Sequence, residues 1–183
     1  MQARIERAVL LRCLGHIQSV VERRNTIPIL SNVLIEAIGD SLIRVMATDL
    51  DMQIVETIDA RVESPGATTV SAHLLFEIAR KLPEGSEVSL AAADGEMVVR
   101  AGRYQSKLKT GPRDDCPVIA EGELPTSFEL DAKDIVRIIE KTRFAISTEE
   151  TRYYLNGIFL HVANDPDPVL KAAATDGHRL ARV

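Results

Sequence analysis

The chain has 183 residues, of which 45% are hydrophobic and 27% charged, with a formal net charge of −5. A polypeptide of this size and composition buries a substantial core, which excludes an intrinsically disordered protein. No apolar run approaches the roughly 18 to 20 residues that span a bilayer, and charges interrupt the apolar residues near the N-terminus, unlike those of a signal peptide. We therefore expect a cytoplasmic protein of one or two domains with no membrane partner.

Aromatic side chains and cysteines are scarce. Aromatic residues make up 4% of the chain, tryptophan is absent, and the cysteines are Cys13 and Cys116. Single-stranded nucleic acid is usually held by stacking on aromatic rings, so this mode of binding is not favoured. Two cysteines are too few for a disulfide framework or a four-cysteine zinc site. The acidic net charge also disfavours a protein covered by nucleic acid, although an average conceals how charge is distributed.

The first 110 residues alternate between helical and strand-like patterns. Apolar residues spaced by three and four predict a helix over 7–21, and Ser71 is a good N-cap for a second helix. The apolar stripe of the second helix comprises Leu74, Leu75, Ile78 and Leu82. Strands are predicted at 32–37, 42–47, 52–62, 67–70, 87–91, 97–101 and 104–108. The order helix, three strands therefore occurs twice, and the strand at 67–70 lies between the two sets.

Residues 111–126 are predicted to be a linker, because prolines, a glycine and an acidic excess break the pattern. Beyond it, Asp131 is predicted to cap a helix that matches the first helix at an offset of 125. This offset aligns Arg12 with Arg137.

The match continues into the strands that follow each helix. The segment Asn32-Val33-Leu34-Ile35 aligns with Asn156-Gly157-Ile158-Phe159 at an offset of 124, and Ala47-Thr48-Asp49 with Ala174-Thr175-Asp176 at 127. A shared register through helix, strand and turn indicates a tandem repeat of about 125 residues. We predict an α+β protein with domains at 1–125 and 126–183, the second of them truncated, so that the chain is a fragment.

Positive charge is concentrated in the predicted helices. Residues 1–24 carry five arginines against two glutamates, and segments 71–81 and 131–143 are also net positive, so the rest of the chain carries the acidic excess. One interpretation is that each helix carries paired charges for solubility. Three helices biased in one direction instead favour a basic helical surface, opposite an acidic surface of strands. Such a surface holds a phosphate backbone whatever the base sequence.

Two motifs carry side chains suited to binding. Arg23-Arg24-Asn25-Thr26 follows the first helix, where the guanidinium groups either reach phosphates or are merely solvated. Arg152-Tyr153-Tyr154-Leu155-Asn156-Gly157 places two tyrosines beside an arginine at the start of a strand. Either one ring packs into the core and the other covers the strand edge, or the pair contacts nucleic acid or a partner protein.

A third motif, Thr175-Asp176-Gly177-His178-Arg179-Leu180, combines a sharp Asp-Gly turn with a histidine and an arginine. An Asp/His pair is compatible with acid–base catalysis, but no nucleophile motif accompanies it. The other histidines lack metal-ligand spacing, and the glycines are isolated in turns rather than grouped in a phosphate-binding loop. We therefore expect no catalysis, no metal and no cofactor.

These motifs resemble those of the bacterial DNA polymerase III beta subunit family, the sliding clamps. The segments that carry the resemblance are 24–32, 47–50, 65–69, 82–85, 152–157 and 174–181, in the family's order and spacing. A family member has three similar domains. This chain resembles the first domain and about the first half of the second.

The resemblance implies a fold of repeated β-α-β-β-β units with helices on one face and sheets on the other. It implies a homodimeric ring, joined head to tail, whose helices face an enclosed DNA duplex. The implied function is that of a non-catalytic processivity factor, which binds duplex DNA without regard to sequence. The implied protein partners are the alpha subunit of DNA polymerase III and the clamp loader, which dock through short peptide motifs.

The resemblance also implies positions that contact DNA. They are Arg24, His73, Glu149, Tyr153 and Tyr154. His73 stands where the family has a basic residue, and a histidine is charged only part of the time near neutral pH. Glu149 stands where glutamine is frequent, and its charge would repel phosphate.

A partner-peptide pocket is the second implied site. Its positions in this chain are Leu155, Thr175, Gly177, His178, Arg179 and Leu180. The family's pocket takes motifs containing Gln and Leu or Phe, and it is completed by later parts of the second domain and by the third. We therefore expect half a groove here, with weak peptide binding.

Two other classes of function remain open from the sequence. A small α+β hydrolase or transferase would centre on Asp176 and His178 and would need a nearby nucleophile. A protein-binding scaffold would use its basic helices only for solubility. The tandem repeat favours the clamp, and the positive bias of the helices disfavours the scaffold.

Overall fold

A computed structural model gives the structure of residues 1–21, 26–119, 127–164, 166 and 168–183. The chain separates into two compact units, Met1–Glu121 and Gly122–Val183, called here the first and second units. Helices and antiparallel sheets occur in both, which confirms the predicted α+β class. The predicted boundary between 125 and 126 lies outside the described residues. None of the helices in the described ranges is both long and apolar enough to cross a membrane.

The described part of the first unit contains two α-helices and nine strands. The helices are α1 (Arg7–Ile17) and α2 (Ala72–Lys81). The strands are β1 (Gln2–Glu6), β2 (Asn32–Ile38), β3 (Leu42–Thr48), β4 (Gln53–Asp59), β5 (Arg61–Ser64), β6 (Gly66–Ser71), β7 (Glu87–Ala93), β8 (Glu96–Ala101) and β9 (Tyr104–Gly111). Short 3₁₀ turns lie at Pro28–Ser31 and Arg113–Asp115.

The first unit consists of two β-α-β-β-β repeats that pair with each other. One repeat is β1-α1-β2-β3-β4 and the other β6-α2-β7-β8-β9, and the strand order is β4-β3-β2-β6-β9-β8-β7-β1-β5. The first strand of each repeat pairs antiparallel with the second strand of the other, as β1 with β7 and β6 with β2. The two repeats therefore make the same interaction with each other in both directions.

The core of the first unit lies between its helices and its strands. The helix spacing brings Leu10, Leu14 and Ile17 of α1 onto one buried face, and they pack in the same cluster as Leu75 of α2 and Ile35 of β2. Cys13 belongs to this face, and its burial raises the pKa of the thiol to about 12.

The second unit is a smaller copy of the same pattern. Its described elements are α3 (Ala132–Thr142), β10 (Phe159–Asn164), β11 (Pro168–Thr175) and β12 (Leu180–Arg182), with 3₁₀ turns at Arg143–Ala145 and Glu150–Leu155. The three strands form an antiparallel sheet. The residues that precede α1 and α3, Glu6 and Asp131, share a φ of −62° and a ψ of 131°. This equality supports the offset of 125 between the two helices.

The beginning of the chain differs from the sequence-based prediction. Gln2–Glu6 forms a strand that was not predicted, with Ala3 and Ile5 buried and partners in β5 and β7 far along the chain. The helix predicted over 7–21 ends at Ile17, because the chain turns there and the Ser19 hydroxyl donates to the carbonyl of His16 at 2.6 Å.

The single strand predicted at 52–62 is two strands. The amide of Ala60 donates to the carbonyl of Ser41 at 2.8 Å, and the amide of Val62 to that of Asp40 at 2.9 Å. These bonds interrupt the ladder between β3 and β4 and turn the chain toward β1, which pairs with β5. The regular alternation of the sequence continues through the break and so conceals it.

Two further predictions were wrong in detail. Asp131 precedes α3, but its side chain makes no capping hydrogen bond and pairs with Lys133 at 3.1 Å. Leu74 lies on the exposed side of α2. The two units divide within the predicted linker, between 121 and 122, and the first residues of that linker belong to the first unit: Gly111 ends β9 and Cys116 is buried against Leu34. Residues 120–126 of that linker lie outside the described residues.

The offset of 124 predicted for the second strand of the repeat is wrong by one. Ile35 pairs with Val45 in the first unit, and the residue equivalent to Val45, Ala172, pairs with Leu160. Leu160 is therefore the counterpart of Ile35, which makes the offset 125. A shift of one residue exchanges the two faces of a strand, so the correction decides which side chains of β10 face α3.

Candidate functional site

The turn between β11 and β12 is held by the side chain of Asp176. Its Oδ1 accepts hydrogen bonds from the amides of His178 and Arg179, both at 2.9 Å, and its Oδ2 pairs with Nε of Arg179 at 2.8 Å. The two backbone bonds, assisted by the charge of Arg179, lower the pKa of Asp176 to about 2. The carboxylate thus stabilises the turn.

The same turn requires a glycine. Gly177 has a φ of +88°, a conformation that residues with a Cβ atom rarely adopt. A Cβ there would lie 3.0 Å from Nη1 of Arg152. This nitrogen also donates to the carbonyl of Asp176 at 3.5 Å, so the turn packs against the 3₁₀ segment Glu150–Leu155.

The two tyrosines of that 3₁₀ segment are exposed. Tyr153 and Tyr154 contact each other edge to face, with ring centroids 5.8 Å apart. Neither ring packs into the core, so that alternative is wrong. Arg152, beside them, pairs through Nε with Oε2 of Glu149 at 3.1 Å. This pair offsets the negative charge at Glu149, which the sequence predicts to repel phosphate.

An apolar pocket of about 270 Å³ lies between the 3₁₀ segment and the sheet. It is lined by Tyr154, Leu155, Gly157, Ile158, Phe159, Ala173, Ala174, Thr175 and Leu180. Of the residues predicted for a peptide pocket, Leu155, Thr175 and Leu180 are brought together here. Gly177, His178 and Arg179 do not line it and instead form the adjacent turn.

The sequence missed part of this lining. Gly157, Ile158 and Phe159 continue directly from the 152–157 motif, and this continuity could have identified them. Ala173 and Ala174 enter through the register of the sheet, which pairs Phe159 with Ala173. Tyr154 lines the pocket although its predicted role is contact with DNA.

The arrangement suits the docking of apolar side chains rather than acid–base chemistry. Asp176 is engaged by three donors and its pKa is low, so it is a poor proton acceptor. His178 is exposed on the turn. In the described ranges no cluster of histidine, cysteine, aspartate or glutamate could hold a metal ion.

The residues predicted to contact DNA are divided between the two units. Arg24 lies outside the described residues. His73 is half-buried on α2, beside a cavity of about 430 Å³ that Phe76 and Arg80 also line. Its Nε2 is buried without a hydrogen-bond partner in the part of the chain that the structure describes. Tyr153 and Tyr154 belong to the second unit.

The arginines near the N-terminus have different roles. Arg4 lies in β1 and pairs with Glu63 at 2.6 Å. Arg7 donates from Nε to the carbonyl of Ala79 at 3.0 Å, and from Nη2 to that of Arg80 at 2.9 Å. Both guanidinium groups are therefore already engaged by groups of the first unit, a difference that a count of the arginines in the segment does not show.

Arg12 and Arg137 are the helix cations that occupy equivalent positions in the two repeats. Both are exposed, and neither forms an ion pair with any described residue. The same holds for Lys81 at the end of α2 and Lys141 near the end of α3. Each unit therefore presents helix cations that its own described carboxylates do not neutralise.

Comparison with known proteins places both units in one family. Residues 1–120 match the family described as DNA polymerase III beta subunit, N-terminal domain, and residues 129–183 match the central domain of the same subunit. The N-terminal-domain match lies in the first unit, and the central-domain match lies in the second.

Curated relatives agree with this assignment. The chain is 53% identical to the beta sliding clamp of Caulobacter vibrioides over 184 residues, and 36% identical to that of Escherichia coli over 182 residues. In both comparisons 99% of the chain is aligned with 49% of the relative. The chain thus spans about half the length of these relatives.

Solved structures show the same fold. The Caulobacter crescentus pol III beta structure matches 100% of the chain with a TM-score of 0.94 at 52% identity, and 49% of that protein is covered. A DnaN sliding clamp from Bartonella birtlesii, bound to griselimycin, matches with a TM-score of 0.96 at 44% identity, with the same coverage of 100% and 49%. The predicted clamp fold is therefore confirmed, and the chain belongs to the DNA polymerase III beta subunit family.

Proposed function

We propose that this chain is part of a processivity factor, a sliding clamp that holds the replicative DNA polymerase on duplex DNA. One observation carries the proposal. The chain matches the N-terminal domain of the beta subunit and then its central domain, in that order. In the intact protein, domains of this kind form a head-to-tail homodimeric ring. The protein is not an enzyme, needs no cofactor, and acts in the cytoplasm.

The helices provide the proposed contact with DNA. Arg12 and Arg137 stand at equivalent positions of α1 and α3, exposed and without ion pairs among the described residues. Guanidinium groups on a helix surface neutralise phosphates and read no bases. Arg24, His73, Glu149, Tyr153 and Tyr154 are proposed as further DNA contacts. With Glu149 neutralised by Arg152, the exposed tyrosines can lie against the sugar–phosphate backbone.

Fluorescence anisotropy with labelled duplexes of two unrelated sequences tests this proposal. We expect the same affinity for both duplexes and a steep loss of binding as salt rises, because counterion release dominates such binding. Affinities that differ tenfold or more between the duplexes would contradict it. Binding that does not change with salt would do so as well.

The second proposed contact is a partner peptide in the pocket beside Leu155 and Leu180. Its apolar lining suits leucine or phenylalanine side chains, such as the polymerase alpha subunit and clamp loader would present. Thr175, Gly177, His178 and Arg179 complete the proposed site through the turn that borders the pocket. At about 270 Å³ the pocket is slightly smaller than the roughly 300–1,000 Å³ of most ligand sites, so we expect weak binding.

Isothermal calorimetry with a peptide that contains Gln, Leu and Phe measures this contact. We expect weak binding that Leu180→Ala reduces further, while Leu50→Ala, an exposed leucine of the first unit, leaves it unchanged. Submicromolar affinity would show that the site is more complete than its volume indicates. An unchanged affinity for Leu180→Ala would place the peptide elsewhere.

A further inference from the structure

Residues 112–119 lie across the face of the first unit's sheet that points away from α1 and α2. Side chains alternate along a strand, so Val33 and Ile35 of β2 join the helix-side core while Leu34 between them points to the opposite face. Met46 of β3 is paired with Leu34 and lies on the same opposite face. We call residues 112–119 the strap.

Two contacts hold the first half of the strap. Nε of Arg113 donates to Oε1 of Glu36 on β2 at 2.7 Å. Cys116 packs with Leu34 of β2 and Met46 of β3 in a small apolar cluster that is separate from the main core. Leu34 and Met46 are only 1% and 2% exposed, because the strap covers them.

Uncovered positions on the same face show what the strap hides. Ile38 and Leu42 pair with each other at the ends of β2 and β3, and they are 46% and 38% exposed. Val55 of β4, which pairs with Met46, is 38% exposed. The apolar side chains of β2, β3 and β4 on this face are thus buried beneath the strap and exposed away from it.

The third contact lies at the other end of the strap. The amide of Ile119 donates to Oε1 of Gln53 on β4 at 2.9 Å. In the part of the chain that the structure describes, no backbone hydrogen bond joins residues 112–119 to a strand. One buried side chain and two polar contacts therefore hold the whole strap. Segments with so few buried contacts open at a lower free energy than the core of a domain.

We propose that the strap opens and closes on the folded first unit, and that the ion pair between Arg113 and Glu36 sets how often it opens. Opening breaks the three contacts and exposes the small apolar cluster, while the main core stays intact. It frees up to about 3.3 Å of chain per residue, which lengthens the connection that leads to the second unit. The proposal rests on contacts within the first unit and does not depend on the proposed function.

The two cysteines of the chain report strap opening and core unfolding separately. Cys116 belongs to the strap, whereas Cys13 belongs to the main core of the same unit. Burial raises the pKa of both thiols, which makes them poor nucleophiles in the closed, folded state. Opening of the strap exposes Cys116 alone, because exposure of Cys13 requires the core to unfold.

Labelling of the whole chain with a maleimide, followed by mass spectrometry, measures opening. Under native conditions we expect Cys116 to react at least about tenfold faster than Cys13, and at least about tenfold slower than in the urea-unfolded chain. Equal rates for the two cysteines would show that the strap opens only when the core unfolds. A native Cys116 rate equal to that of the unfolded chain would show that the strap is not closed. Either result would overturn the proposal.

Arg113→Gln and its matched control Arg44→Gln test the role of the ion pair. Both arginines pair with Glu36, Arg113 from the strap at 2.7 Å and Arg44 from β3 at 3.7 Å. Arg113→Gln should raise the labelling rate of Cys116 about threefold and leave that of Cys13 unchanged. Arg44→Gln should change neither rate.

The expected acceleration cannot come from the thiol's own titration. Burial raises the pKa of Cys116, and the positive charge of Arg113 partly offsets this rise. Loss of that charge would by itself disfavour the thiolate and slow labelling, so faster labelling reports opening. Equal Cys116 rates in Arg113→Gln and Arg44→Gln, or faster labelling of both cysteines in Arg113→Gln, would overturn the proposal.

Discussion

At the scale of single residues, the turn at 175–180 depends on one carboxylate and one glycine. Asp176 holds two backbone amides and the Arg179 guanidinium, and Gly177 supplies the positive φ. The Asp-Gly pair in the sequence was enough to predict a sharp turn. The pocket beside it was only partly predictable, because Ala173 and Ala174 enter through strand register, which sequence motifs do not report.

Acid should weaken the second unit through Asp176. Its pKa is lowered from 3.8 to about 2 in the folded state, so its contribution to stability is complete above pH 4 and is lost as the pH falls through 2. Asp176→Asn keeps an acceptor oxygen but removes the charge. Thermal unfolding followed from pH 7 to pH 2 should show the wild-type advantage over this variant disappearing below pH 4.

Glu140→Gln is the matched control, because Glu140 is an exposed acid of the same unit with no ion pair to any described residue. It should lower the unfolding temperature at pH 7 by less than Asp176→Asn does. A constant difference between wild type and Asp176→Asn across the whole pH range would show that the charge of Asp176 does not stabilise the turn.

Gly177→Ala should destabilise the second unit by about 1 kcal/mol, because alanine is strained at positive φ. Contact of the new Cβ with Arg152 adds to this cost. Gly157→Ala is the control, since a Cβ at Gly157 would meet nothing within 4 Å. Urea unfolding compares the two variants, and equal midpoints would contradict the strain argument.

At the scale of elements, the sequence predicts helices and strands better where local patterns determine them than where pairing with distant segments determines them. The helices were predictable because their apolar spacing and the N-cap Ser71 are local signals. Strand β1 was missed because it has only two inward apolar residues, Ala3 and Ile5, and is defined by distant partners. The break at Ala60 was hidden because hydrogen bonds to the 40–41 turn, rather than a change in alternation, separate β4 from β5.

Arg7 should stabilise the packing of α1 against α2. It satisfies two carbonyls at the C-terminal end of α2, where a cation is favoured by the helix dipole. Arg7→Ala should therefore lower the free energy of unfolding by about 1–2 kcal/mol. Arg12→Ala, on the exposed side of the same helix, should change it by less than about 0.5 kcal/mol. Urea denaturation of both variants measures this difference, and equal effects would refute the assignment of Arg7 to the fold.

At the scale of the whole molecule, repetition accounts for both the fold and the proposed surface. The same β-α-β-β-β pattern, with the same residue spacing, presents Arg12 in one unit and Arg137 in the other. The sequence predicted this equivalence from the offset of 125. It could not show that Arg4 and Arg7 are engaged in the fold, because their partners Glu63, Ala79 and Arg80 lie far along the chain.

The proposed role in holding DNA is tested most directly by the salt dependence of duplex binding. The slope of log affinity against log salt reports the number of phosphates neutralised. Arg12→Ala and Arg137→Ala should each reduce this slope by about one, equally for duplexes of unrelated sequence. Arg7→Ala should leave the slope unchanged. Slopes that are the same in wild type, Arg12→Ala and Arg137→Ala would contradict the account.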